Sequence, residues 1–346
     1  MLRQAVPRSL ALDYAVGLCG VWISSGFFWD AWAHGHVPVE SFFTPYHAVF
    51  YSGMLVMLLA IGGSALRNRR RGYAWRDSVP ETYRLALIGV PIFLGAGAGD
   101  LLWHRLLGLE EGVDALLSPT HQFIGLGIFF LASGPIRSAI ADPQRRFGLA
   151  YQLPLVFGLG TWLTLAHFGT AYALDPAGAR VSSPPPIVPF TPDYLTALSI
   201  GYYKISLGML VVILQSTLMA GFALWWIARI RPFPGALTIF YLIGNVSAAA
   251  AFTNDSALLA ITIAQSLTTG IVADVLVARF DPQPDRTKAF RWLAAVVPMT
   301  FLGVYLVGCV ATGGLWWDWN ISLGAWIWSG VCGFALSLLV TARRTA

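Results

Sequence analysis

Ten apolar stretches recur along this chain, near residues 11–33, 45–66, 84–106, 120–140, 149–174, 202–228, 234–253, 256–278, 290–312 and 320–341. Each is close to the ~20 residues that a helix needs to cross a bilayer. No water is available in hydrocarbon to satisfy the backbone, so such runs can cross only as helices whose amides bond internally. The expected fold is therefore all-α, a polytopic membrane helix bundle of about ten transmembrane helices whose first partner is the lipid bilayer. Composition agrees: 56% of residues are hydrophobic, only 11% are charged, and mean hydropathy is +0.65. The start of the sixth stretch is the least regular, because Gly201, Tyr202, Tyr203 and Lys204 interrupt it.

Charge predicts orientation. Every basic residue except Arg105, Arg180 and Lys204 falls in the leader, in alternate connections or in the tail. The positive-inside rule then puts both termini in the cytoplasm, in a bacterial-type inner (plasma) membrane. The net charge of +5 is accounted for by topology, and no nucleic-acid partner is expected. Met1–Arg8 reads as a short basic leader into a retained first span. Cys19, Cys309 and Cys332 all lie within apolar spans and read as small buried hydrophobes.

Within the first four stretches one pattern is written twice. Asp30, His34, Glu40, Pro45, His47 and Gly53 are matched by Asp100, His104, Glu110, Pro119, His121 and Gly127. Both copies begin D-x3-H-x5-E and end [ST]-P-x-H-x5-G, and the second has a longer loop. The matched positions hold four of the six histidines in the chain. Both hairpins run the same way, a parallel duplication unlike the inverted repeats common in transporters. We therefore divide the chain at 147/148. Residues 1–147 carry the duplicated hairpins, and 148–346 form a six-span bundle with a Pro-rich outer loop at 175–195. That loop reads as a stiff connector or a partner surface, the latter suiting a subunit of a larger membrane complex.

The repeated residues have the chemistry of a metal site. Asp and His four residues apart lie on one helical face, a turn apart. Pro45 and Pro119 suit the first turn of the next helix, where no backbone donor is needed. His47 and His121 then sit in that first turn, at the depth of the Asp–His pair. Asp30, His34 and His47, and likewise Asp100, His104 and His121, offer carboxylate and imidazole ligands with coordination positions left open. An ionisable group within a span is costly and marks function by default. The competing readings are a hydrogen-bonded clasp copied with its hairpin and a metal-free proton relay. Glu40 and Glu110 are the candidate catalytic groups, serving otherwise as extra ligands, partners that orient an imidazole, or plain loop carboxylates. His36 reads as a loop histidine, and His167 lies at the depth of the motif. Without thiolates the ligand set suits copper, with iron and zinc as alternatives. Phe27, Phe28, Trp29, Trp32, Phe42, Phe43 and Trp103 flank the motif and could line a dry pocket.

The first copy, Asp30-x3-His34-x12-His47, resembles the copper-site motif in the C subunit of particulate methane and ammonia monooxygenases. There too an Asp–His pair sits at i, i+4 on one membrane helix and a second His follows on the next. The likeness covers about 25 of the 346 residues, and the second copy departs from it with x16 between His104 and His121. It implies a copper site at the outer face and oxidation of a small apolar or lipid substrate by dioxygen. The expected function is thus a metal-dependent membrane oxidoreductase, with a monooxygenase as the type the resemblance implies. The alternatives are a zinc-dependent membrane hydrolase with Glu40 or Glu110 as base, a metal transporter or donor, and a non-catalytic subunit of a membrane complex. Whether the copies build one centre with two metals or two separate sites depends on how the hairpins pack.

Overall fold

A computed structural model describes residues 6–37, 43–108, 117–142, 148–168, 170, 194–252 and 255–342. Among them are ten α-helices and no strand. They are α1 (Leu10–His36), α2 (Pro45–Arg70), α3 (Arg84–Leu107), α4 (Pro119–Ala141), α5 (Leu149–Phe168), α6 (Tyr194–Ile227), α7 (Ala236–Phe252), α8 (Ser256–Phe280), α9 (Thr287–Ala311) and α10 (Trp319–Ala342). Nine are long and apolar enough to cross a membrane, and α7 is a shorter apolar helix of 17 residues. The chain is a multi-pass membrane protein. Large apolar side chains such as Leu59 on α2, Val307 on α9 and Leu339 on α10 stay on the outside of the bundle, as a lipid-facing surface requires.

The sixth stretch differs from its sequence reading. The helix starts earlier than the expected residue 202 and runs unbroken from Tyr194 through the Gly-Tyr-Tyr-Lys segment, for 34 residues. A single glycine costs a helix only about 1 kcal/mol relative to alanine, and no proline intervenes. Of the Pro-rich segment, residues 175–193 lie outside the described residues, while Tyr194 and Leu195 open α6.

The described residues fall into two compact units, one built on α1–α5 and the other on α6, most of α7, and α8–α10. In the first unit α1 pairs with α2, α3 pairs with α4, and α1 also packs on α4. The two glycines that close the repeated motif explain their positions here. A Cβ on Gly53 would stand 2.9 Å from the Ile23 side chain on α1, and one on Gly127 would stand 2.8 Å from the Phe93 backbone on α3. Ile23 and Phe93 each precede the motif aspartate of their own copy by seven residues, so both hairpins are closed at the same register. Helix α5 packs against α1 and α4, with Thr161 beside Gly20 and Ile136 beside Gly158. At the opposite end from the motif, the buried carboxylate of Asp13 accepts hydrogen bonds from the Tyr83 hydroxyl at 2.7 Å and the Ser138 hydroxyl at 2.9 Å. That pins α1, α4 and the turn before α3 together.

In the second unit, Asp274, Gln265 and Asn245 each bond to nearby backbone groups. Asp274 on α8 caps the start of α7, accepting from the Leu237 and Thr238 amides at 3.1 Å each. Gln265 donates to the Phe301 carbonyl and Asn245 to the Tyr241 carbonyl.

Candidate metal centre

Thr44 and Ser118 precede Pro45 and Pro119 at the starts of α2 and α4, with proline in the first turn of each helix. Thr44 Oγ1 accepts the amide of His47 at 3.1 Å, fixing where α2 begins and so where the His47 ring stands. The motif histidines of the second helices therefore sit at helix starts, facing the ends of α1 and α3. Asp30 and His34 lie in the last two turns of α1, and Asp100 and His104 in those of α3. All six side chains gather at one end of the first unit.

Each copy forms a triad. Asp30 Oδ2 lies 3.5 Å from His34 Nε2, and Asp30 Oδ1 lies 3.2 Å from His47 Nδ1. In the second copy Asp100 Oδ1 lies 3.2 Å from both His104 Nε2 and His121 Nε2. Each triad offers three ligand atoms within 4.8 Å of one another, the arrangement of a group able to hold a metal ion. Burial is deep: Asp30 is 6% exposed, His47 4%, Asp100 1% and His121 7%.

The two triads adjoin. The His34 ring centroid is 5.8 Å from that of His104 and 6.4 Å from that of His121, against 5.8 Å to His47 in its own triad. The cross-copy spacing equals the spacing within a copy. The four imidazoles and two carboxylates therefore lie side by side at one end of the first unit, as two adjoining triads.

Close contact is not the same as hydrogen bonding here. His104 Nε2 is within 3.2 Å of Asp100, yet it meets no partner at hydrogen-bond geometry, and neither does His104 Nδ1 or His34 Nε2, all three being buried. A buried polar atom without a partner costs about 1–3 kcal/mol, and such atoms are rare enough to need an explanation. One such nitrogen on each of two adjoining rings, beside two buried carboxylates, fits a ligand lone pair better than a closed hydrogen-bonded clasp. The donor set of nitrogen and oxygen without thiolate fits copper, iron or zinc.

Supporting contacts that the sequence reading missed separate the two copies. Thr120 Oγ1 donates to Asp100 Oδ1 at 2.7 Å and meets Ser118 Oγ at 2.9 Å. In the first copy the corresponding position is Tyr46, and the hydroxyl of Thr44 instead meets His47 Nδ1 at 2.9 Å. Outer hydrogen bonds of this kind hold ligands in orientation. Thr44 and Ser118 stand at the [ST] position of the repeated motif, whereas Thr120 stands at its variable position, where the first copy has Tyr46.

The remaining sequence candidates divide. Glu40 and Glu110 lie outside the described residues, as does Phe42. His36 is exposed, stacked on Trp32 at 4.6 Å with its Nδ1 2.7 Å from the Trp32 carbonyl. His167 is fully buried in the last turn of α5. Of the flanking aromatics, Phe27 packs edge-on to His121 at 6.3 Å and to Phe50 at 5.9 Å. Phe28 is buried behind it, whereas Trp29 and Phe43 are 48% and 79% exposed. No protein-family model, no curated protein and no solved structure matches this chain.

Proposed function

We propose that this protein is a metal-dependent integral membrane oxidoreductase whose two triads form one dinuclear copper centre acting on a small apolar or lipid substrate. The observation that carries the reading is the cluster of His34, His47, His104 and His121 around Asp30 and Asp100, buried, with His34 Nε2 and both His104 nitrogens lacking hydrogen-bond partners. Three ligands per metal leave positions for an exogenous molecule, and copper bound there would supply one-electron redox chemistry and activation of dioxygen. The likeness of Asp30-x3-His34-x12-His47 to the monooxygenase copper motif favours copper over iron. The protein's own part is to hold the ligands rigidly on four helix ends and to keep the surroundings dry with Phe27, Phe50 and Phe93. The distribution of Arg and Lys supports an outward-facing site in a bacterial-type inner membrane. Transport is less well supported, because Asn245, Gln265 and Asp274 each bond to backbone groups of the bundle and so offer no line of ligands inward.

Elemental analysis of the detergent-purified protein, beside the His34→Ala/His104→Ala variant, tests the reading. The expected result is copper near two per chain, lost in the variant. Zinc alone would replace this reading with the membrane hydrolase, and metal-replete protein holding no stoichiometric metal would end it.

A further inference from the structure

The end of the first unit away from the triads carries more positive charge than its own acids neutralise. Between residues 67 and 84 stand six arginines and two acids, Asp77 and Glu81. Both acids are taken: Asp77 lies 3.3 Å from the Arg76 side chain, and Glu81 lies 3.3 Å from that of Arg84. Arg69 is also engaged, donating to the Tyr73 carbonyl at 3.0 Å and standing 5.9 Å from the centre of the Trp75 ring. Arg67, Arg70 and Arg71 remain. All three are exposed, and no acid among the described residues pairs with them. The positive-inside rule accounts for the sign of this end. It does not account for three guanidiniums left unneutralised within about one turn of helix.

Their placement is set by α2. Positions 67, 70 and 71 are three and four residues apart, the spacing that makes side chains neighbours on a helix, and like charges so spaced repel. An anion held among them removes that repulsion. Helix α2 has 26 residues, so it is roughly 40 Å long against a hydrocarbon core of about 30 Å. Its last turn therefore reaches the depth of the lipid headgroups. Further into the membrane the exposed face of α2 is apolar and open. Leu59 is 65% exposed and Leu66 51%, and a Cβ on Gly62 or Gly63 between them would meet nothing within 4 Å. An acyl chain fits that strip, and a phosphate fits the arginines at its foot.

We infer that Arg67, Arg70 and Arg71 form a binding site for one anionic phospholipid, its phosphate held by the guanidiniums and an acyl chain lying along Leu66 and Leu59. Arginine suits this task because its planar fork gives paired hydrogen bonds to phosphate oxygens. A basic pocket at the membrane end of a helix is also the usual setting for a bound anionic headgroup. The ligand is a lipid and not a free phosphate, because the open apolar strip continues from the arginines along the same helix. The site is independent of the metal reading, at the other end of α2 from His47.

The test is native mass spectrometry of the detergent-purified full chain, titrated with phosphatidylglycerol, with phosphatidylcholine of the same acyl chains, or with inorganic phosphate. Wild type is compared with Arg67→Gln/Arg70→Gln. The control is Arg279→Gln/Lys288→Gln, which removes the same charge from exposed positions of the second unit. The expected result is one tightly held phosphatidylglycerol per chain in wild type and in the control. Arg67→Gln/Arg70→Gln should bind it about thirtyfold more weakly, at ~1 kcal/mol for each arginine near an anionic headgroup. Melting temperature without lipid reports on the fold, and Arg67→Lys/Arg70→Lys, which keeps the charge, should restore most of the binding. Equal loss in the Gln variant and the control overturns the site, because net charge alone would then hold the lipid. Phosphatidylcholine bound as tightly as phosphatidylglycerol overturns it, and so does inorganic phosphate that displaces the lipid at equal concentration. Wild type that holds no phosphatidylglycerol ends the lipid reading and leaves the patch to an acidic protein partner.

Discussion

His34 and His104 stand on different copies of the repeat, yet their rings are as close as two histidines of the same triad. A carboxylate at this cluster therefore affects both copies. Asp100, 1% exposed, touches His104 and His121 and receives the Thr120 hydroxyl. Removing it opens the second triad and leaves His104 and His121 without the carboxylate that both rings touch. We expect Asp100→Ala to lose both metals, and a variant retaining half of the wild-type metal would show two independent sites instead. How much of this was legible at the residue scale follows from what spacing can encode. D-x3-H places two groups on one helical face because the helix fixes that geometry, so both triads were readable from sequence. The cross-copy contact was not, because it depends on how α1 and α3 approach, which no local spacing states. Thr120 was passed over for a related reason. A hydroxyl supports a ligand residue here only through a neighbour distant in sequence, Asp100 for Thr120.

At the scale of elements, the cluster depends on helices that touch where glycine allows it. Gly127 admits Phe93 of α3, and Gly89 of α3 faces the Gly127 carbonyl, which a Cβ on Gly89 would approach to 2.6 Å. A methyl group at 127 must push α4 away from α3, and His121 moves with α4. We expect Gly127→Ala to cost about 1–3 kcal/mol of stability, as overpacking generally does, and to weaken metal binding. Gly125→Ala on the same helix is the matched control, since a Cβ there meets nothing within 4 Å. Thermal unfolding and metal content of the two variants read this directly, and equal behaviour would mean that the close approach is not needed. The hairpins themselves were legible, since their apolar runs, prolines and polar caps all point to the same breaks. The early start of α6 was not, because Gly201 and Lys204 resemble a boundary in sequence while the backbone accommodates both at little cost.

For the whole molecule, function depends on which side of the membrane the cluster faces. Its end of the first unit is formed by the close of α1 and α3 and the start of α2 and α4, whereas the turns at Trp75–Asp77 and Glu81–Tyr83 mark the other end. The arginines concentrate at that other end: Arg67, Arg69, Arg70 and Arg71 close α2, and Arg76 and Arg84 lie in or beside the turns. Moving such a group of charges across the bilayer during insertion is unfavourable, which is the physical basis of the positive-inside rule. Phe43, 79% exposed beside the cluster, and Trp75, 61% exposed among the arginines, are suitable reporters. Cys19 and Cys309 are buried, so only Cys332 needs replacing by alanine to clear the background. In intact spheroplasts a membrane-impermeant maleimide should label Phe43→Cys and spare Trp75→Cys until the membrane is opened. The reverse pattern would put the centre at the cytoplasmic face. Its metal would then come from the cytoplasm, and the outward-facing oxidoreductase proposed above would have to be abandoned even if the copper were confirmed.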